Sequence, residues 1–135
     1  MGRVLVVDDE ISIRRALSTT LRGMGFDVLS AANGEAAVEM VRARRYDAVL
    51  LDINMPDRSG LDILKHVRSG FPDTRVLVIS AYPERQYARN VLRAGASGYL
   101  AKDTASEELM RAVRMVIQGR RYVSSQVGEL LAQSF

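Results

Sequence analysis

Short apolar runs alternate with helical stripes along this sequence, and no other feature restricts the possible folds as much. The runs are Val4–Val7, Phe26–Ser30, Ala48–Leu51, Arg75–Ile79 and Ser97–Ala101. Runs such as Val4–Val7 and Ala48–Leu51 are short and do not alternate, the pattern of strands buried on both faces. Between the runs, apolar residues recur at helical spacing: Ile13, Leu17, Leu21 and Met24; Ala37, Met40 and Val41 within 35–45; Leu61, Leu64 and Val67. Leu109, Ala112, Val113, Val116 and Ile117 give a strong last stripe, whereas the helix expected over 84–94 is poor in large apolar residues. Gly23 with Gly25, Gly70-Phe71-Pro72-Asp73 and Gly95-Ala96 supply the stops. Five strands alternating with five helices specify an α/β fold with a parallel sheet covered on both faces. The expected form is a flavodoxin-like (βα)5 doubly wound parallel sheet, strand order 2-1-3-4-5, with its switch point between strands 1 and 3.

At 135 residues the chain is long enough for one domain with a proper core and too short for two. It has no cysteine, which removes disulfides and thiolate metal sites. No apolar run approaches the ~18 residues that span a bilayer. The start, Met1-Gly2-Arg3-Val4, enters a strand directly and has no signal-peptide layout. A cytoplasmic protein with no membrane partner is therefore expected. The net charge of +3 comes from arginines scattered along helices, so no direct DNA binding by this chain is expected. Residues 1–119 read as the domain; residues 120–135 read as a linker and the start of an extra helix.

The carboxyl ends of the strands carry the chemistry. The run Ala48–Leu51 ends on Asp52, and Pro56 with Gly60 turns the chain away. Asp8 and Asp9 follow the first strand, Ser80 the fourth and Lys102 the fifth. Each has an ordinary use when taken alone: an aspartate caps a helix, a serine makes a turn, a lysine sits on a surface. Together they converge on the crevice of an open α/β sheet. Three carboxylates in one crevice repel one another unless a cation joins them, and hard oxygen ligands suit Mg²⁺. With a cationic amine and a hydroxyl beside them, they form a site for phosphoryl transfer, in which a carboxylate accepts the group as an acyl phosphate.

The segments Val6-Val7-Asp8-Asp9-Glu10, Leu51-Asp52-Ile53-Asn54-Met55-Pro56, Ser80-Ala81 and Gly98-Tyr99-Leu100-Ala101-Lys102 resemble the receiver domain of bacterial two-component response regulators. The resemblance covers residues 3–119. It implies that Asp52 is the phospho-acceptor, and that Asp8, Asp9, Asp52 and the backbone carbonyl of Asn54 hold Mg²⁺. It further implies that Ser80, the Ala81 backbone and Lys102 contact the phosphoryl oxygens. By the same resemblance Ser80 and Tyr99 form the switch, the ring turning inward on phosphorylation, and Asn54 and Tyr82 modulate dephosphorylation. The implied donor is a sensor histidine kinase, and the implied outcome is a switched surface that controls an output such as transcription, not an enzyme activity. Ala94–Asp103 together with Gly119-Arg120-Arg121-Tyr122-Val123-Ser124 resembles the NarL/FixJ subfamily. That implies a C-terminal helix-turn-helix output domain in a longer chain and homodimer formation on phosphorylation. Asp103 stands where many receivers have proline, and Tyr82 is a large residue close to the site.

Three other readings compete. A stand-alone receiver would act through protein contacts only. A phosphatase of the haloacid-dehalogenase type needs a second acid two residues after the nucleophile, and Asn54 stands there. A flavin or nucleotide binder needs a phosphate-cradling loop after the first strand, where this chain places Asp8-Asp9-Glu10. The one histidine, His66, reads as a surface residue of the third helix.

Overall fold

The computed structural model describes residues 2–55 and 60–133. Six strands run β1 (Arg3–Val7), β2 (Asp27–Ala31), β3 (Ala48–Asp52), β4 (Arg75–Ser80), β5 (Gly98–Ala101) and β6 (Tyr122–Val123). They are interleaved with α1 (Ile11–Gly23), α2 (Gly34–Ala43), α3 (Gly60–Gly70), α4 (Arg85–Arg93), α5 (Ser106–Ile117) and α6 (Ser125–Ala132). All pairings are parallel and the order is β2-β1-β3-β4-β5-β6. The expected order stands, and one further strand extends it beyond β5. The turn assigned to Pro56 lies outside the described residues.

Alternate residues of the central strands feed two cores, as the pleat requires. Leu5, Val7, Val49, Leu51, Val76 and Val78 face α2, α3 and α4. Val4, Val6, Ala48, Leu50, Leu77 and Ile79 face α1 and α5, where Leu21, Leu109, Val113 and Val116 meet them. This two-sided burial is why β1 and β3 read as unbroken apolar runs. Local chemistry sets the helix ends. Asn33 caps α2 through its side chain, which accepts the Ala36 N–H at 2.8 Å. Gly25 follows α1 with φ 94°, a backbone state that few side-chain-bearing residues adopt.

The segment after Gly119 is built into the sheet. Tyr122 donates its N–H to Ser97 O at 2.9 Å, and Ser124 donates its N–H to Tyr99 O at 3.1 Å. Ser124 caps α6 and its hydroxyl also accepts the Ala101 N–H at 3.3 Å. Val127 of α6 is fully buried in the same apolar cluster as Ala88 and Val91 of α4. The fourth helix, which its composition marks as weakly anchored, therefore has a second anchor: α6 lies against it.

Candidate functional site

The strand order β1-β3-β4-β5 brings four chain segments to one edge of the sheet. Asp8 and Asp9 follow β1, Asp52 is the last residue of β3, Ser80 is the last of β4, and Lys102 follows β5. Asp8 and Asp52 both contact Lys102, Asp9 lies close to the two acids, and Ser80 ends the strand beside Asp52. Asp52 is 2% exposed and Asp8 is 1% exposed, whereas Asp9 faces solvent. Lys102 Nζ lies 3.2 Å from Asp8 Oδ2 and 3.3 Å from Asp52 Oδ2, with Glu10 further out at 3.7 Å. Carboxylate oxygens of Asp8, Asp9 and Asp52 all lie within 4.8 Å of one another.

Backbone donors fix the two buried acids. The Asn54 N–H donates to Asp52 Oδ1 at 3.0 Å, and the Glu10 N–H donates to Asp8 Oδ1 at 2.9 Å. Arg14, one turn into α1, donates to the Asp8 carbonyl at 2.7 Å. Burial raises the Asp52 pKa above the usual carboxylate value; the Asn54 N–H and Lys102 oppose that rise and Asp8 adds to it. Burial works against the Lys102 ammonium, yet Asp52 and Asp8 outweigh it and its pKa is raised. Both directions describe one condition: two buried carboxylates share a single ammonium. The charge balance of this crevice favours a further cation, and its all-oxygen donor set suits Mg²⁺.

On the β4 side, Asn54 Oδ1 accepts the Ala81 N–H at 3.1 Å and lies 3.4 Å from Ser80 Oγ. The Tyr82 N–H donates to Ser80 Oγ at 3.3 Å, and the Tyr82 side chain is 83% exposed. Tyr99 is buried. Burial raises its pKa, and a hydrogen bond with the Ser80 side chain opposes that rise. Its ring is buried in the apolar cluster with Ala88, Val91 and Val127, against which α6 packs.

The hydrogen bonds of the Asn54 side chain, and the parts played by Glu10 and Arg14, were not legible in the sequence. Glu10 could have been suspected as the third acid of an acidic run; an asparagine that bridges two loops leaves no such trace. His66 departs from its surface reading: it is half-buried, its Nε2 is shielded from solvent without a hydrogen-bond partner, and its ring centroid lies 6.4 Å from that of Phe71. It belongs to α3 and takes no part in the acidic site. A groove of about 430 Å³ runs between Arg42–Arg45 and Gly70–Thr74 at the amino ends of β3 and β4, away from this chemistry. No helix among the described residues is long and apolar enough to cross a membrane.

Comparison with known proteins gives a consistent picture. A family profile described as a response regulator receiver domain matches residues 4–114. The response regulator GacA of Pseudomonas aeruginosa is 34% identical over 134 residues, which cover 98% of this chain and 63% of GacA. The response regulator UvrY of Escherichia coli K12 is 33% identical over 136 residues, 99% of this chain and 62% of UvrY. This chain thus spans less than two thirds of the length of these relatives. Among solved structures, a two-component response regulator of the LuxR family from Aurantimonas superposes with a TM-score of 0.93 at 27% identity, covering 99% of this chain and 97% of the other. The response regulator TrrA from Thermotoga maritima, solved in complex with Mg²⁺ and beryllium fluoride, gives 0.79 at 35% identity, covering 86% of this chain and 99% of TrrA.

Proposed function

This chain belongs to the response regulator receiver family, and from that premise we infer that Asp52 accepts a phosphoryl group from a partner histidine kinase. The observation that carries the reading is the position of Asp52 at the end of β3, with its carboxylate 3.3 Å from Lys102 Nζ and within 4.8 Å of the Asp8 and Asp9 carboxylates. An Asp52 carboxylate oxygen attacks the phosphorus of the donor. The new O–P bond forms as the donor's P–N or P–O bond breaks, and the leaving imidazole or carboxylate keeps the electron pair. Lys102 faces the equatorial oxygens as a point charge, and Ser80 with the Ala81 N–H offers hydrogen bonds to them. Asp8, Asp9, Asp52 and the Asn54 backbone carbonyl are the groups that would hold Mg²⁺, which when bound offsets the charge gathering on the phosphoryl oxygens.

The output of such a domain is a changed surface. In the longer relatives, names such as response regulator GacA and response regulator UvrY describe proteins about half as long again. By analogy this chain would serve a C-terminal helix-turn-helix domain in transcription regulation, acting in the cytoplasm and pairing with a second copy when phosphorylated.

The test is direct. Incubated with acetyl phosphate and Mg²⁺, the intact protein is expected to gain the mass of one phosphoryl group. Borohydride reduction followed by peptide mapping should place it on Asp52. A stable adduct on another residue, or none, would sink the reading.

A second expectation concerns the cation. Asp9 is exposed, so Asp9→Ala leaves the core intact. It should weaken Mg²⁺ binding on the order of tenfold, about 1.4 kcal/mol. An NMR titration against wild type reads this, and equal affinities would remove Asp9 from the ligand set.

A further inference from the structure

We propose that β6 and α6 form a strap that holds Tyr99 inward and thereby raises the affinity of the Asp52 site for a phosphoryl group. The proposal rests on Asp52 being the phospho-acceptor. It adds that the carboxyl-terminal segment is itself part of the switch.

The strap is tied to the strand that carries the switch. Ser124, buried at the head of α6, donates its N–H to the Tyr99 carbonyl at 3.1 Å. Its hydroxyl accepts the Ala101 N–H at 3.3 Å and the Val127 N–H at 3.4 Å. One serine therefore joins β5 to the first turn of α6, at the residues flanking Leu100. Ala101 leads straight into Lys102, whose N–H donates to Ser80 O at 2.8 Å and whose ammonium faces Asp8 and Asp52. A shift of Lys102 or Ser80 toward a group on Asp52 is thus felt at Ser124 through one peptide unit.

The strap is also fastened at both flanks. Glu108 of α5 accepts the Tyr122 hydroxyl at 3.1 Å and the Ser125 N–H at 3.0 Å. Arg85 of α4 donates to the Gln133 carbonyl at 3.0 Å. Between these ties Val127 closes the apolar cluster around Tyr99, with Val123 and Leu131 partly buried beside it. An outward rotation of Tyr99 would run into α6. The strap and the inward ring therefore go together, and α4, with only Ala88 and Val91 buried, moves with whatever α6 does.

The coupling has a definite sign. A phosphoryl oxygen on Asp52 draws the Ser80 hydroxyl into a charge-assisted hydrogen bond. The inward Tyr99 ring fills the space behind that serine. Both the phosphoryl group and the docked strap then stabilise the same arrangement, and by linkage each strengthens the other by the same factor.

Beryllofluoride with Mg²⁺, binding as a phosphoryl mimic, provides the test on the full chain. Its affinity is read by fluorine NMR, and the mobility of residues 122–132 by amide exchange. For wild type, exchange across residues 125–132 should slow severalfold when the mimic binds. Ser124→Ala should bind the mimic about three- to tenfold more weakly, and Arg85→Ala, a change at an exposed side chain, more weakly in the same direction. Variants that merely lose stability while keeping wild-type affinity overturn the strap and leave the phospho-acceptor reading standing. So does exchange in α6 that ignores the mimic. A wild-type protein that takes up no beryllofluoride overturns the acceptor reading, and the coupling falls with it.

Discussion

Asp52→Asn is expected to abolish phosphoryl acceptance and, at neutral pH without divalent cations, to make the protein more stable. The first effect follows from chemistry: an amide has no anionic oxygen to form the acyl phosphate. The second follows from the crevice. Asp8 and Asp52 are both buried and share one ammonium, so the Asp52 charge is held against its preference and its pKa is raised. For a carboxyl whose native pKa lies above its unfolded value, folding favours the protonated form. Stability is then lost as pH rises from the unfolded pKa through the native one. At neutral pH the wild type carries that penalty and the asparagine variant does not. The gain should be about 1 kcal/mol, the usual size of a single relieved conflict, or about 3–5 °C in Tm for a domain of this length. Thermal unfolding at pH 7 and pH 4, each with and without Mg²⁺, checks the sign. The advantage of the variant should shrink at the lower pH and shrink again when Mg²⁺ is added to wild type. A variant less stable than wild type at pH 7 would show that Lys102 alone satisfies both acids.

Gly98→Ala should be the most damaging small substitution in the sheet. Gly98 starts β5 between β4 and β6, paired with Leu77 on one side and Tyr122 on the other. A methyl group there would meet the Tyr122 carbonyl oxygen and stand 2.6 Å from Leu77 Cδ1. Leu77 is fully buried and cannot retreat, so β6 must give way. Overpacking of this kind costs about 1–3 kcal/mol, and more where backbone must move. The expected signature is local: residues 122–132 should exchange their amides rapidly while β1, β3 and β4 keep their protection, and the urea midpoint should fall. An unchanged midpoint with β6 still protected would mean that the sheet edge absorbs the methyl group by bending.

The sheet was legible because its strands are dry. Val4–Val7 and Ala48–Leu51 face helices on both sides, and that leaves an unbroken apolar run in the sequence. The site was legible for a related reason. In a parallel sheet every strand ends on the same edge, so residues that follow apolar runs meet in space. Asp8, Asp52, Ser80 and Lys102 needed no further clue. The sixth strand is different: two residues are too few for any periodicity, and Tyr122-Val123 resembles a linker until β5 is there to pair with it. The anchoring of α4 was hidden because it is shared. Ala88 and Val91 are small, and part of the apolar contact comes from Val127, 36 positions beyond Val91. The inward ring of Tyr99 followed from that same long-range contact. The Asn54 side chain was hidden because its partners, Ser80 and Ala81, lie on another strand end, and a polar loop carries no pattern that names its acceptors.

The short sixth strand also bears on how such a chain keeps to itself. With β6 in place, β5 is an interior strand. The edge offered to solvent on that side is two residues long and is preceded by Arg120-Arg121. Brief, positively charged edges are poor templates for pairing with another molecule. A chain cut behind Gly119 would instead present Gly98–Ala101 as the border, with the carbonyls of Ser97 and Tyr99 and the N–H of Ala101 left without their present partners. It would also uncover Tyr99 and the inner side of α4. Such a fragment keeps every acid, hydroxyl and amine of the phosphoryl site and yet carries a bare, greasy margin, so its colloidal behaviour, and not its chemistry, would betray the missing sixteen residues.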